Sequence, residues 1–143
     1  MDYFQGTVET YLRADRTSFY NSEFYLQRTE KYEVGKPNWY VDALNVNFRD
    51  ETVYLCEATY SRQPSPLRKK LHAWATDWLV IQKAIQRDAK IPEHWQVRVW
   101  IFCPEEMIAK ILTFMPQFPV TPRITPLEMT LPWKYDNPVV SQR

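Results

Sequence analysis

The chain implies an α/β sandwich, a mixed central β-sheet flanked by helices. Three stretches carry that reading. Residues 40–48 and 52–60 are apolar, strand-like runs joined by a short polar turn, as in a β-hairpin. Residues 67–90 then repeat apolar side chains at helical spacing. Gln96–Cys103 returns to strand alternation. A hairpin followed by a helix and another strand requires a sheet of mixed direction with the helix lying on it.

Taken in order, residues 2–13 place Phe4, Val8, Tyr11 and Leu12 on one stripe, which predicts a helix. In residues 19–34 the apolar positions Phe24, Leu26 and Tyr32 suit either a strand or a helix, and a strand is expected over the second half. Gly35, Lys36, Pro37 and Asn38 then form a turn. The hairpin loop falls around Arg49, Asp50 and Glu51. Leu67, Leu71, Trp74, Trp78, Ile81 and Ile85 make a full apolar stripe, with Lys69, Thr76, Lys83 and Arg87 opposite. Ser65 is the expected cap and Pro66 the first helical residue. Gln96–Cys103 is apolar on both faces at its end and so suits an inner strand. Pro104 stops it, and residues 105–114 read as a second, short helix. Six of the eleven prolines fall between Met115 and Arg143, so the tail is expected to be extended, with an edge strand at residues 123–131. One domain results, with a core over residues 1–115 and a proline-rich extension over 116–143 adjoining it.

Composition narrows the function classes. A content of 45% hydrophobic and 24% charged residues excludes disorder as the main state. A net charge of +1 excludes a general polyanion coat, so any nucleic-acid contact needs a local basic patch. Cys56 and Cys103 both lie in apolar runs and read as buried thiols in a reducing compartment. His72 and His94 are too few for a histidine-rich zinc site. No apolar run reaches membrane-span length and the start lacks a signal-peptide pattern, so a cytoplasmic, membrane-free protein is expected. Packing accounts for Trp74 and Trp78, whereas Trp39, Trp95 and Trp133 lie near loops where they could stack on bases.

Asp42 and Glu57 interrupt the apolar faces of their own strands. Burying a charge costs several kcal/mol unless something compensates it. Hairpin register decides whether the two cooperate. A two-residue loop at Arg49 and Asp50 sets Asp42 opposite Glu57; a loop at Asp50 and Glu51 makes them diagonal neighbours. A three-residue loop sends them to opposite faces. Facing each other, they suit a hard cation such as Mg²⁺ or Mn²⁺, which prefers carboxylate oxygens and water. The competing reading pairs one acid with a lysine or arginine and leaves the other at an exposed strand end.

This arrangement resembles the PD-(D/E)XK nuclease superfamily, the restriction-endonuclease-like proteins, whose core runs helix, three strands, helix, strand. Asp42 in Trp39-Tyr40-Val41-Asp42-Ala43-Leu44 matches the family's first acid, and Glu57 in Leu55-Cys56-Glu57-Ala58-Thr59 matches the second. Glu9 matches the glutamate that many members carry on the first helix. The resemblance covers about residues 2–114 and implies a Mg²⁺- or Mn²⁺-dependent DNA endonuclease, with Asp42 and Glu57 as catalytic metal ligands and Glu9 assisting. It departs at Thr59, which stands where the family has its lysine. Lys70 lies about 60° from the centre of the long helix's apolar stripe and is the candidate substitute. Arg62, Arg68 and Lys69 are the candidate nucleic-acid contacts. A domain this small implies a homodimer on duplex DNA. Two rival readings remain: a catalytically silent binding module of the same fold, favoured by Thr59, and an interaction protein whose proline-rich tail docks on a partner.

Overall fold

The computed structural model describes residues 3–27 and 39–131. Helix α1 (Tyr3–Arg13) leads into strand β1 (Ser18–Leu26). Strands β2 (Trp39–Asn47) and β3 (Thr52–Ala58) form the hairpin, followed by helices α2 (Ser65–Thr76) and α3 (Trp78–Ala89). Strand β4 (Gln96–Cys103), a 3-10 turn (Glu105–Met107), helix α4 (Ile108–Phe114) and strand β5 (Arg123–Pro126) complete the order, with a last 3-10 turn at Leu127–Thr130. The strands form one mixed sheet in the order β1-β2-β3-β4-β5. β1, β2 and β3 pair antiparallel, whereas β4 and β5 run parallel to β3. The α/β architecture and the helix-flanked mixed sheet are therefore as predicted.

Each face of the sheet buries its own apolar layer. On one, Leu71, Trp74, Trp78, Ile81 and Ile85 of α2 and α3 pack with Val53, Leu55, Val97, Val99 and Ile101, joined by Met107 and Ile111. On the other, Val8, Tyr11 and Leu12 of α1 cover Tyr54, Cys56, Trp100 and Phe102, joined by Leu127. β4 contributes to both layers, which explains why its sequence is apolar on both faces. Both cysteines are buried free thiols, and burial pushes the Cys103 thiol up to about 11.

Four local expectations change. The stripe from Leu67 to Ile85 is continuous, but the helix beneath it breaks at Asp77, with φ −109° and ψ 26°. Thr76 and Asp77 are weak helix formers. Bonding still crosses the break, from Asp77 N–H to Ala73 O at 3.3 Å and from Ile81 N–H to Asp77 O at 3.0 Å. Ser65 is not the cap: Pro64 occupies that position, without a side-chain cap hydrogen bond, and Pro66 sits in the second helical position. The strand expected late in residues 19–34 instead occupies Ser18–Leu26; residues 28–38, including the predicted turn at Gly35, lie outside the described residues. The edge strand shortens to Arg123–Pro126, because the chain turns into a 3-10 turn at Leu127.

Residues 116–131 are integral to the core. Phe118 meets Trp78 edge-on, with ring centroids 5.1 Å apart, and β5 extends the sheet. Trp39 and Trp95 are also sealed in the core rather than open to bases, while Trp133 lies outside the described residues. The two-sided packing predicts that Leu71→Ala lowers stability by about 2–5 kcal/mol in urea unfolding. Leu79→Ala, on the solvent side of α3, should change it by less than about 0.5 kcal/mol.

Candidate active site around Asp42, Glu57 and Lys70

Hairpin register comes first, since it decides which side chains meet. Val46 pairs with Val53 and Ala43 with Cys56, so continuing the ladder sets Asp42 directly opposite Glu57. This is the register of a loop centred on Arg49 and Asp50. A buried knot holds it. Asp15, after α1, accepts hydrogen bonds from Arg49 at 2.5 Å and from Asn47 Nδ2 at 3.3 Å. Asp50 N–H also donates to Asn47 Oδ1 at 2.9 Å, and Glu51 takes the left-handed φ of 49° that closes the turn.

The paired backbone ladder of β2 and β3 ends at Ala43 and Cys56. Beyond it the two carboxylates take over as acceptors. Asp42 N–H donates to Glu57 Oε2 at 2.7 Å, and Ala58 N–H donates to Asp42 Oδ2 at 3.1 Å. Strict alternation is interrupted here: Val41 and Leu44 join the same core layer while Ala43 joins the other. Across β1, the facing Glu23 adopts a left-handed φ of 54°. The strands thus distort together at the acidic pair without losing register.

Lys70 reaches the pair from α2. Its Nζ donates to Glu57 Oε1 at 2.5 Å and lies 5.2 Å from the Tyr40 ring centroid and 5.7 Å from that of Trp74. Aromatic faces stabilise an ammonium that has given up water. Glu57 is 6% exposed. Burial, then the charge of Asp42, raises its pKa, and Lys70 only partly offsets them, leaving it at about 7. A carboxyl that titrates near neutrality can exchange a proton at working pH. Glu57, Ala58, Thr59, Pro66, Leu67 and Lys70 line a cleft of about 180 Å³. Thr59 adds no positive charge; its N–H donates to Phe102 O at 2.9 Å and so ties it to β4.

The remaining candidates divide. Glu9 lies on α1 and is ion-paired to Arg13 at 2.8 Å; burial and, beside it, the charges of Cys56, Glu9 and Asp42 raise the pKa of Tyr20. Arg68 lines a second cleft of about 180 Å³ at the start of α2, beside Gln63, Ser65, Lys110 and Phe114. Arg62 is exposed, 3.8 Å from Glu106, and Lys69 points to solvent. Lys110 is the residue that sequence reasoning missed. It donates to Arg62 O at 3.3 Å and joins Arg68 because α4 packs beside the first turn of α2. No motif in the sequence signals that proximity.

Among the described residues, no cluster of three or more His, Cys, Asp or Glu could hold a metal ion. The pair itself offers two carboxylates. Each oxygen that accepts one hydrogen bond keeps a further lone pair, so the pair fits a hard cation that retains most of its waters. Among the described residues, no helix is long and apolar enough to cross a membrane. No protein-family model matches the chain, and no curated protein or solved structure matches it either.

Two outcomes follow from the pair's electrostatics. Because folding raises the Glu57 pKa from 4.5 to about 7, the folded state holds this proton more tightly than the unfolded state. That stabilisation is complete below pH 4.5 and lost as pH rises through 7. With chelator present, urea midpoints of the wild type should therefore improve relative to Glu57→Gln from pH 8 to pH 5, by on the order of 2–3 kcal/mol. Lys70→Met strands a buried carboxylate and should cost about 1–3 kcal/mol at pH 8 but less at pH 5, where Glu57 is protonated.

Proposed function

We propose that the protein is a metal-dependent phosphodiesterase acting on DNA, with a restriction-endonuclease-like core and its site at Asp42, Glu57 and Lys70. One observation carries the reading. A lysine from the helix after the hairpin meets the second of two carboxylates that stand opposed on neighbouring strands. Lys70 thereby supplies, from α2, the positive charge that Thr59 lacks.

Asp42 and Glu57 would hold Mg²⁺ or Mn²⁺, which when bound supplies Lewis-acid stabilisation of charge on the phosphoryl oxygens. Lys70 Nζ stands at the cleft, where it would neutralise a phosphate oxygen of the substrate. Glu57, as a ligand of that cation, would stay ionised and help orient a water bound beside it. Asp42 also keeps the Ala58 N–H satisfied and so fixes the strand end that carries Glu57. Arg68 and Lys110 flank the same helix start and would hold the neighbouring backbone phosphate, with Arg62 beside them.

A second reading has its own support. Both Glu57 oxygens and one Asp42 oxygen already accept hydrogen bonds, as they would in a structural clasp of a catalytically silent binding module. The two readings separate on DNA. Incubation of duplex, single-stranded and branched DNA with Mg²⁺ or Mn²⁺ should give cleavage that falls at least about 100-fold in Asp42→Asn and in Lys70→Met. Arg68→Ala combined with Lys110→Ala should chiefly weaken DNA binding and flatten its salt dependence. Retained DNA binding without metal-dependent cleavage by the wild type would favour the silent module.

A further inference from the structure

Beyond Glu57, β3 runs out between two hollows of different character. One is the cleft that Lys70 of α2 lines with Glu57, Ala58 and Thr59. The other is a cavity of about 270 Å³ walled by Phe4, Tyr60, Pro104, Leu127 and Leu131. Phe4 and Leu127 belong to the apolar layer beneath α1, so the cavity opens beside that layer. Glu57 and Tyr60 are three residues apart, at most about 11 Å along the chain.

Three segments set the walls before any ligand arrives. Thr59 N–H donates to Phe102 O at 2.9 Å, the last tie of this strand end to β4. The Tyr60 ring then stacks on Phe4, with centroids 4.6 Å apart and planes 24° from parallel, yet stays 53% exposed. The 3-10 turn at Leu127–Thr130 closes the far side, where Thr130 Oγ1 lies 3.2 Å from Thr7 Oγ1 of α1. Glu128 of the same turn accepts the Glu105 N–H at 3.2 Å, which ties the turn to the segment after β4. Glu128 is also the sole charged residue among the described residues lining the cavity, so a phosphate is disfavoured there. At about 270 Å³ the hollow falls just short of sites that enclose a whole drug-sized ligand, and suits one ring system. An exposed tyrosine backed by a second ring is a rigid stacking platform for such a group.

We propose that this cavity takes an unpaired nucleobase of the strand held at the acidic pair, so that the substrate class is single-stranded or locally unpaired DNA. The inference rests on the phosphodiesterase reading above. It divides the two chemistries of a nucleotide over one strand end: phosphates at Lys70, Arg68 and Lys110, the neutral ring at Tyr60. A base inside a duplex is stacked and paired and must leave the helix to enter, whereas a single strand presents it at no such cost. Stacking accepts every base, so this site imposes no sequence preference.

The test is binding of a single-stranded oligonucleotide that carries 2-aminopurine, with chelator present so that nothing is cleaved. A duplex in which the same residue is paired is the comparison. The single strand should bind the wild type more tightly than the duplex does, and its 2-aminopurine fluorescence should be quenched in the complex. Tyr60→Ala should weaken single-strand binding by about fivefold or more and leave duplex binding within about twofold. Tyr60→Phe should retain affinity and quenching, while Leu131→Asp, on the cavity wall, should lower affinity with Tyr60 in place. Single-strand affinity unaltered in both Tyr60→Ala and Leu131→Asp, or a duplex bound as tightly as the single strand, would overturn the inference and leave cleavage at Asp42 and Glu57 standing. Quenching that depends on Tyr60, without metal-dependent cleavage of any DNA, would instead remove the phosphodiesterase reading and keep the base site.

Discussion

A carboxylate that is 6% exposed and faces a second carboxylate across a hairpin needs nearby positive charge and hydrogen-bond donors to stay in place. Much of the surrounding structure answers that requirement. The Asp42 N–H serves Glu57, Asp42 accepts the Ala58 N–H in return, and Lys70 crosses from α2 to the remaining Glu57 oxygen. Meeting Glu57 fixes where α2 begins relative to the end of β3. Tyr40 and Trp74 then enclose the ammonium. Despite all this, the Glu57 pKa stays near 7, so compensation is incomplete. Residues that remain poorly compensated in an otherwise well-packed core are where function most often resides.

Two layers of apolar packing make that geometry rigid. The α2–α3 stripe seals the face that carries Glu57 and Lys70, and α1 seals the other. The division also separates roles. Glu9 on α1 pairs with Arg13, whereas Arg68 and Lys110 line their own cleft at the start of α2.

Much of this was legible in the residues. The apolar stripe from Leu67 to Ile85, though two helices carry it rather than one, the two-sided strand Gln96–Cys103 and the stop at Pro104 all lie where the residues place them. Lys70 was legible too, because its angle beside the apolar stripe follows from helix geometry alone. Register was not. Arg49, Asp50 and Glu51 contain no Asn-Gly or Gly signal, and the clasp comes from Asp15, 34 residues before Arg49. The break at Asp77 and the left-handed Glu23 are local distortions, and the apolar pattern runs past both without marking them. Lys110 required knowing that α4 lies beside α2, a tertiary fact.

We propose that the opposed carboxylates are a cation site rather than only a clasp. The most direct test is a calorimetric titration of Mn²⁺ into the wild type and into an Asp42→Asn, Glu57→Gln double variant, each with and without a short DNA duplex. Binding to the wild type, alone or with DNA, that is lost in a folded double variant is the expected result. No binding to the folded wild type in either condition would contradict the claim and leave the pair as a structural clasp of the hairpin.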